Sequence, residues 1–430
     1  MNFSDLIPFS GHAEFSPNSE YFAAIKGLTV TVYSTQQLNV IATWRVLDEL
    51  SKLEWGRDSK ILMCAQNKRC VVQIFNLQDL SWNSKISLGI AGLSGAWIAP
   101  SSREIITITE FQERLNIWSL IDKSVSHLLN PKYGNKGLSF SSDGRFMALA
   151  ERIEGKDYLG IYYTQNWESA SHFQLDTFDV ADIKWNTDDT VIICWDSSVE
   201  YKLLIYSPDG EILHCFSPYQ NALGIHSVVL SPGGTYMGVA SYDDKVRVIH
   251  HVTWTRLGEF NHASNLKEGK DFYVYNEEEY VDQSGRVSAH YGFLELPTKL
   301  GTTDERGVSL CKWNHNSTFL ATKSLSVPNA VWIWDNISCS LKSVIIHRHS
   351  VKDVEWSPKN QLLAFTAGSK MIYLWSDDGA SVCDMPFDES EFRAQSLKWS
   401  PDGQCLMVAD DGNNVVVAYP QFEELEGRQA

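Results

Sequence analysis

A chain of 430 residues with 43% hydrophobic residues, 12% aromatics and fifteen Trp has ample material for a large core. Its formal net charge of −17 is spread along the sequence without a basic stripe, which argues against nucleic acid as a direct partner, because that affinity comes from Lys and Arg on phosphates. The same repulsion sets aside direct contact with an acidic polymer surface unless a basic intermediary carries it.

No run of about eighteen apolar residues exists, so no membrane span is expected. The start, Met1-Asn2-Phe3-Ser4-Asp5, lacks the charged and apolar regions of a secretory signal. The eight Cys include no C-x-x-C, and Cys64, Cys194, Cys311 and Cys405 lie in strand-like runs. Reduced thiols of the cytosol or nucleus are expected, with neither disulfides nor zinc.

In chain order, residues 2–9 form a strand-like piece with no inner strands of its own. A phrase then begins at Ala13-Glu14-Phe15-Ser16-Pro17: a hydrophobic residue, an aromatic, a turn, and further strands. Its aromatic, or a stand-in, returns at Trp55, Trp97, Phe140, Trp185, Leu230, Trp313, Trp356 and Trp399, with gaps of 40, 42, 43, 45, 45, 83, 43 and 43 residues. Third strands end at Tyr33, Phe75, Trp118, Tyr162, Tyr206, Ile249, Trp334, Trp375 and Tyr419, in phase with the first set. These aromatics are read as packing between neighbouring units.

The sixth copy shows the pattern. Ser227 to Leu230 is an inner strand, and Ser231-Pro232-Gly233-Gly234 a tight turn. Tyr236 to Ala240, Val246 to Ile249 and Thr253 to Phe260 follow, and Asn261-His262 stands where such repeats often carry Gly-His. Four short strands per period in the low forties is the mark of WD-type propeller blades. The expectation is an all-β WD-repeat propeller over residues 1–430, a single nine-bladed ring. Residues 2–9 are expected to close it as the outer strand of the last blade, since a propeller must hide its edges. The alternatives are a smaller ring with degenerate copies, or two fused small propellers, though no linker separates two halves.

The 83-residue gap leaves an inserted segment at about 263–307, with Tyr273, Tyr275, Glu277, Glu278, Glu279 and Tyr280 in its first half. It reads either as an aromatic and acidic docking strip for a basic partner segment, or as a degenerate tenth blade or an extra hairpin. Residues 420–430 form an acidic tail.

No G-x-S-x-G, P-loop or H-E-x-x-H occurs. His250-His251 and His347-Arg348-His349 lack metal-ligand neighbours in sequence and read as structural. The turn carboxylates Asp143, Asp243, Asp244, Asp402, Asp410 and Asp411 read as residues that bond their own backbone. No enzyme activity, cofactor or metal is expected.

Some runs are more particular than the repeat. They are Leu149-Ala150-Glu151-Arg152 with Lys156-Asp157-Tyr158, the stretch from Trp195 to Gly210, Leu223 to Val228, Ser241 to Val248 with His251-Val252-Thr253-Trp254, and Val327 to Asp335. With the opening Met1-Asn2-Phe3-Ser4 they resemble the family of WD repeat-containing protein eight, found at centrosomes and spindle poles. The resemblance covers nearly the whole chain, though the insertion and tail diverge. It implies a non-enzymatic adaptor of the cytoskeleton, at a centrosome or spindle pole body, the latter nuclear in a closed mitosis. The implied partners are a coiled-coil anchoring protein of spindle poles or centriolar satellites and a minus-end-directed kinesin, with microtubule minus ends anchored indirectly and bipolar spindles supported.

The partner-facing residues are expected among Lys156, Asp157, Tyr158, Glu200, Tyr201, Lys202, Tyr242, Lys245, His251 and Trp254, together with the six insertion residues above. The competing reading of each is internal, as turn charge or strand packing. The rival functions are a translation-initiation propeller binding ribosomes or initiation factors, and a substrate receptor of a ubiquitin ligase.

Overall fold

The computed structural model describes residues 1–266, 272–281, 287–388 and 390–421. Nine blade sheets follow one another along the chain. Eight contain a four-stranded antiparallel meander in sequence order, and the ninth takes three strands from the C-terminal end and its outer edge from residues 2–8. Their inner strands are Ala13–Phe15, Lys52–Trp55, Gly95–Ile98, Leu138–Phe140, Val180–Trp185, Ile225–Leu230, Val308–Trp313, Asp353–Trp356 and Ser396–Trp399. Each carries one of the nine landmarks, so these sheets are numbered here as blades 1 to 9.

The ring closes because every gap between neighbouring blades is filled. Ala23, Val32 and Ile25 of blade 1 meet Leu53, Trp55 and Cys64 of blade 2 in one apolar cluster. Equivalent clusters join each successive pair. The last unites Met407, Val415 and Val417 of blade 9 with Phe15, Phe22 and Ala24 of blade 1. Burial on both faces explains why second and third strands read as unbroken apolar runs rather than alternating ones.

The recurrent Trp has a polar reason as well. Trp55, Trp313, Trp356 and Trp399 each donate the indole N–H to a backbone carbonyl of the preceding inner strand, at Glu14 (3.1 Å), Val229 (3.1 Å), Lys312 (3.0 Å) and Glu355 (3.2 Å). A Phe there packs but cannot bond. Outer-strand aromatics stack on the next blade's third strand: Trp44 on Phe75 at 5.0 Å and Phe260 on Trp334 at 4.8 Å. The expected packing role of the third-strand aromatics is what these contacts display.

Residues 1–9 seal blade 9, as two short strands rather than one. Asn2–Phe3 pairs with Tyr419 and Ala418, and Ile7–Pro8 pairs with Val415 and Asn414. Between them Ser4 keeps the ladder intact: its N–H donates to the Val417 carbonyl and its Oγ accepts the Val417 N–H. Ile7 and Phe9 are buried against blades 9 and 1.

In a four-stranded meander, turns between second and third strands share one end with the connections between blades. We call this end the top; turns between first and second, and third and fourth, strands lie at the bottom. At the bottom, residues with positive φ recur, at Ser19, Ser59 and Asp189 among others. Such backbone disfavours side chains, but each of these three caps the neighbouring turn: Ser19 accepts from Asp402 N–H, Ser59 from Asn18 N–H, and Asp189 from Ser142 N–H. Side chain is retained there because it ties blade to blade.

At the top, His262 bridges blades 6 and 7. Its Nδ1 bonds the Asp244 carbonyl at 2.8 Å and its Nε2 bonds Thr322 Oγ1 at 2.7 Å, while Trp334 donates to the same hydroxyl at 2.8 Å. Burial pulls the His262 pKa down to about 4, so it is neutral in the folded ring.

Among the described residues, the stretch between blades 6 and 7 forms no tenth blade. Tyr273–Val281 and Val287–Phe293 make an antiparallel hairpin, and the first of these adds in parallel to the outer strand Ser340–Ile346 of blade 7. Blade 7 thereby becomes a six-stranded sheet. The parallel register ends at Asn276, opposite Ile346, so Glu277 onward runs beyond the blade at its top end. Residues 267–271 and 282–286 of this stretch, and 422–430 of the acidic tail, lie outside the described residues.

Candidate functional site: the top face of blades 4 to 6

Three top-face segments meet here: the connection 175–179 between blades 4 and 5, the turn 197–202 of blade 5, and the connection 217–224 between blades 5 and 6. Backbone bonds stitch them together. Ser197 N–H donates to the Asp179 carbonyl (2.9 Å), Gly224 N–H to Ser198 (2.8 Å), and Tyr242 N–H of blade 6 to Gly224 (3.2 Å). Gly224 is required by closeness, since a Cβ there would stand 2.3 Å from the Glu200 carbonyl oxygen.

On these pinned loops stand three exposed apolar side chains, one per segment: Phe178 (72% exposed), Val199 (67%) and Leu223 (58%). Exposed apolar residues singly need no explanation, but three together on a rigid base are the form of an interaction patch. Glu200, exposed, follows Val199.

Buried charge supports them. Asp196 is fully buried, its carboxylate accepting the Phe178 N–H (3.1 Å) and the Asp179 N–H (2.8 Å). Burial drives the Asp196 pKa up against those two bonds. Lys132, almost wholly buried, donates to Asp157 at 2.9 Å and to Asp179 at 2.7 Å, and Arg152 reaches the same two carboxylates. Burial raises the Asp179 pKa, but Lys132 and Arg152 outweigh it and hold the carboxyl below its usual range. Such networks are costly unless fully paired. Here the paired charges fix the loop that carries Phe178.

Leu223 is held comparably. Tyr219 donates its hydroxyl to the Leu223 carbonyl at 2.8 Å, and the Arg247 guanidinium lies over the Tyr219 and Tyr201 rings at 5.5 and 5.3 Å. Arg247 is neutralised by Asp243 at 2.6 Å, and Ser241 donates to the Tyr201 hydroxyl at 2.9 Å.

The sixteen residues singled out from sequence do not form one site. Lys156, Asp157, Tyr158, Glu200, Tyr201, Lys202, Tyr242 and Lys245 share the top of blades 4 to 6. His251 and Trp254 lie at the bottom, between the third and fourth strands of blade 6. There the two rings stack at 5.1 Å and His251 bonds Asp188 at 2.7 Å. Asp157 and Tyr201 are interior, so neither can meet a partner directly. Lys202 is paired to Asp176 (3.0 Å), Lys245 to Glu259 (2.5 Å), Tyr158 stacks on His172 and Tyr242 lies edge-on to His226. Lys156 and Glu200 remain exposed.

The insertion residues divide too. Tyr275 and Glu277 are buried. Glu277 accepts from Tyr373 (2.5 Å) and from the Arg348 N–H (3.0 Å), and lies 3.3 Å from His347 Nδ1. Burial raises the Glu277 pKa, but these bonds prevail and bring it down to about 2. The carboxylate is therefore the latch that fixes the hairpin to blade 8, not a partner contact. Glu279 pairs with Arg348, and Glu278 lies 3.5 Å from His290. Tyr273 and Tyr280 are exposed, as are Val281 and Phe293.

Sequence reasoning missed Phe178, Val199 and Leu223. Val199 and Leu223 lay inside two of the particular runs, where a branched residue at a polar turn is the available signal. Phe178 carried none. Among the described residues, no group of three or more His, Cys, Asp or Glu is placed to hold a metal ion.

Nine blades, eight built on a four-stranded meander and the ninth completed by residues 2–8, with a Trp on six of the nine inner strands, define a WD-repeat β-propeller. The C-terminal WD40 domain of Sif2 superposes with a TM-score of 0.55 over 97% of this chain and 99% of that one, at 13% identity, a likeness of fold. Residues 354–420 match the family model of the anaphase-promoting complex subunit 4 WD40 domain. WD repeat-containing protein WRAP73 of Mus musculus is 34% identical, across 98% of each chain. An uncharacterised WD repeat-containing protein of Schizosaccharomyces pombe is 23% identical over 69% of this chain and 65% of its own. The chain belongs to the WRAP73 family of WD-repeat proteins, whose propeller fold serves typically as a protein-interaction scaffold.

Proposed function

We propose that this propeller is a non-enzymatic adaptor that seats one helix of a coiled-coil anchoring protein on the top of blades 4 to 6. The observation that carries this is the trio Phe178, Val199 and Leu223, exposed on loops pinned by backbone bonds and buried ion pairs. A rigid apolar base loses little entropy on binding, and a helix presents apolar side chains at three- and four-residue spacing to match it. Glu200 at the patch fits a Lys or Arg beside the apolar stripe.

The setting proposed is the centrosome or spindle pole body. With the coiled-coil protein bound, a minus-end-directed kinesin joins the assembly, microtubule minus ends are anchored, and spindle bipolarity is supported. The −17 net charge favours contact with tubulin through basic partners rather than through the ring itself. The resemblance of the particular sequence runs to a family of centrosomes and spindle poles supports the same setting.

The test is titration of the purified ring with the recombinant coiled-coil protein, comparing wild type with Phe178→Ser/Leu223→Ser and with Glu200→Lys. Truncating anchors of this kind costs about 2 kcal/mol each, roughly 30-fold in Kd. Unchanged affinity in the double variant would place the partner elsewhere.

A further inference from the structure

A second, separate patch lies on the same end of the ring, over blades 2 and 3. The connection 88–94 carries Ile90, which is 102% exposed, and the blade 3 turn 109–113 carries Phe111, 76% exposed. These two segments are also stitched. Leu88 N–H donates to the Cys70 carbonyl (2.9 Å) and Glu110 N–H to Ala91 (3.1 Å). The turn closes through Gln112 N–H on the Thr109 carbonyl at 3.0 Å, with Gln112 at φ 55. Gly92 lets the strands of this knot approach: a Cβ there would stand 2.6 Å from Glu110 Cβ. Phe111 is therefore presented at the apex of a braced turn.

Among the described residues, free acid outnumbers free base beside it, two exposed carboxylates against the one exposed, unpaired guanidinium of Arg114. Glu110 and Glu113 flank Phe111, both exposed, and among the described residues no cation pairs with either, the adjacent Arg114 included. The nearby cations Lys68 and Arg69 are taken by Glu49 (2.5 Å) and Asp48 (3.1 Å). An apolar pair beside two unpaired carboxylates matches a segment with apolar residues on one side and Lys or Arg next to them.

We infer that the top of blades 2 and 3 is a second docking site, for a basic amphipathic segment of a partner protein, separate from the patch on blades 4 to 6. A ring with two rigid patches on one end can hold two chains side by side, which is what an adaptor requires. This inference does not depend on what occupies blades 4 to 6.

The experiment is an array of 20-residue peptides tiling the proteins that co-purify with the chain. It is probed with the purified full-length protein and with the variants Ile90→Ser/Phe111→Ser, Glu110→Lys/Glu113→Lys and Phe178→Ser/Leu223→Ser. Expected is at least one Lys- or Arg-rich amphipathic peptide bound by wild type and by the Phe178/Leu223 variant. Each blade 2–3 variant should weaken it by about tenfold or more, and the same peptide with Lys changed to Glu should regain binding to Glu110→Lys/Glu113→Lys. Because that rescue requires a folded ring, it decides the matter even if the Ile90/Phe111 variant melts early. The inference is overturned if no basic peptide binds. It is equally overturned if the blade 2–3 variants bind as wild type does, if only the Phe178/Leu223 variant loses binding, or if sedimentation reveals a dimer of this chain that Phe111→Ser abolishes.

Discussion

Removal of residues 1–9 opens the ring at one edge. The outer strand of blade 9 is lost, and Asn414–Tyr419 becomes a bare edge beside Met407, Val415 and Val417. The magnitude follows from the two buried apolar side chains of the segment, Ile7 at 9% and Phe9 at 7% exposure. Truncating one Ile and one Phe in a core costs about 6 kcal/mol together. For a chain of this length the unfolding entropy is roughly 0.9 kcal/mol per degree, so the melting temperature should fall by about 7 °C. Calorimetry on Ile7→Ala/Phe9→Ala reads this directly. The full deletion should fall at least as far and aggregate with rising concentration through the uncovered strand. Hydrogen exchange should speed first in the amides of residues 414–419. A deletion variant melting within a degree of wild type, with unchanged exchange there, would refute the closure.

Other outcomes follow from the same geometry. Trp399→Phe keeps the packing but removes the bond to Glu355, and should cost about 1 kcal/mol, measured by urea unfolding. His262 is held neutral by burial, with its pKa reduced from 6.5 to about 4. Below pH 6.5 the unfolded chain binds a proton that the folded one does not, so stability falls as pH drops from 6.5 toward 4, by about 3 kcal/mol in all. His262→Gln should flatten that slope in thermal melts taken across this range. Glu277, brought down from 4.5 to about 2, contributes stability that is present above pH 4.5 and lost toward pH 2. Glu277→Ala leaves Tyr373 and His347 without their acceptor and should admit protease to Val287–Phe293 before the blades unfold.

Much of the ring was legible because its landmarks recur for a physical reason. At every landmark a large apolar side chain packs between blades, and at Trp55, Trp313, Trp356 and Trp399 it also donates its indole N–H to the preceding strand. That side chain therefore marks period and phase. Strand turns were legible for the same reason, being built from Ser, Pro, Asp and Gly. The insertion was less so. Its first strand pairs in parallel with residues 343–346, some seventy positions away, and nothing local announces that register. Glu277 looked like one acid in an exposed run, because its partners His347 and Tyr373 lie 70 and 96 positions further along the chain.

Asp157 and Tyr201 misled similarly. Asp157 opens a strand just after the Glu154-Gly155 turn, and Tyr201 stands in a polar turn. But Lys132 reaches Asp157 from the preceding connection and Arg247 reaches Tyr201 from blade 6, drawing both inside. The large apolar side chains left at this surface are Phe178, Val199 and Leu223, beside the exposed Lys156 and Glu200. In sequence an exposed Phe is indistinguishable from a core Phe. Only the folded loops reveal that Asp196 fixes the backbone of Phe178 while its ring points to solvent. His251 and Trp254, adjacent in sequence to top-face residues, fall at the opposite end because one strand of blade 6 separates them.

The central claim is that a rigid top-face patch on blades 4 to 6 binds the coiled-coil partner. The most direct measurement is the Kd of that partner for wild type and for Phe178→Ser/Val199→Ser/Leu223→Ser, with melting temperatures taken in parallel. The account predicts a loss of about a hundredfold or more with melting within a degree or two of wild type. Wild-type affinity in the triple variant would contradict it.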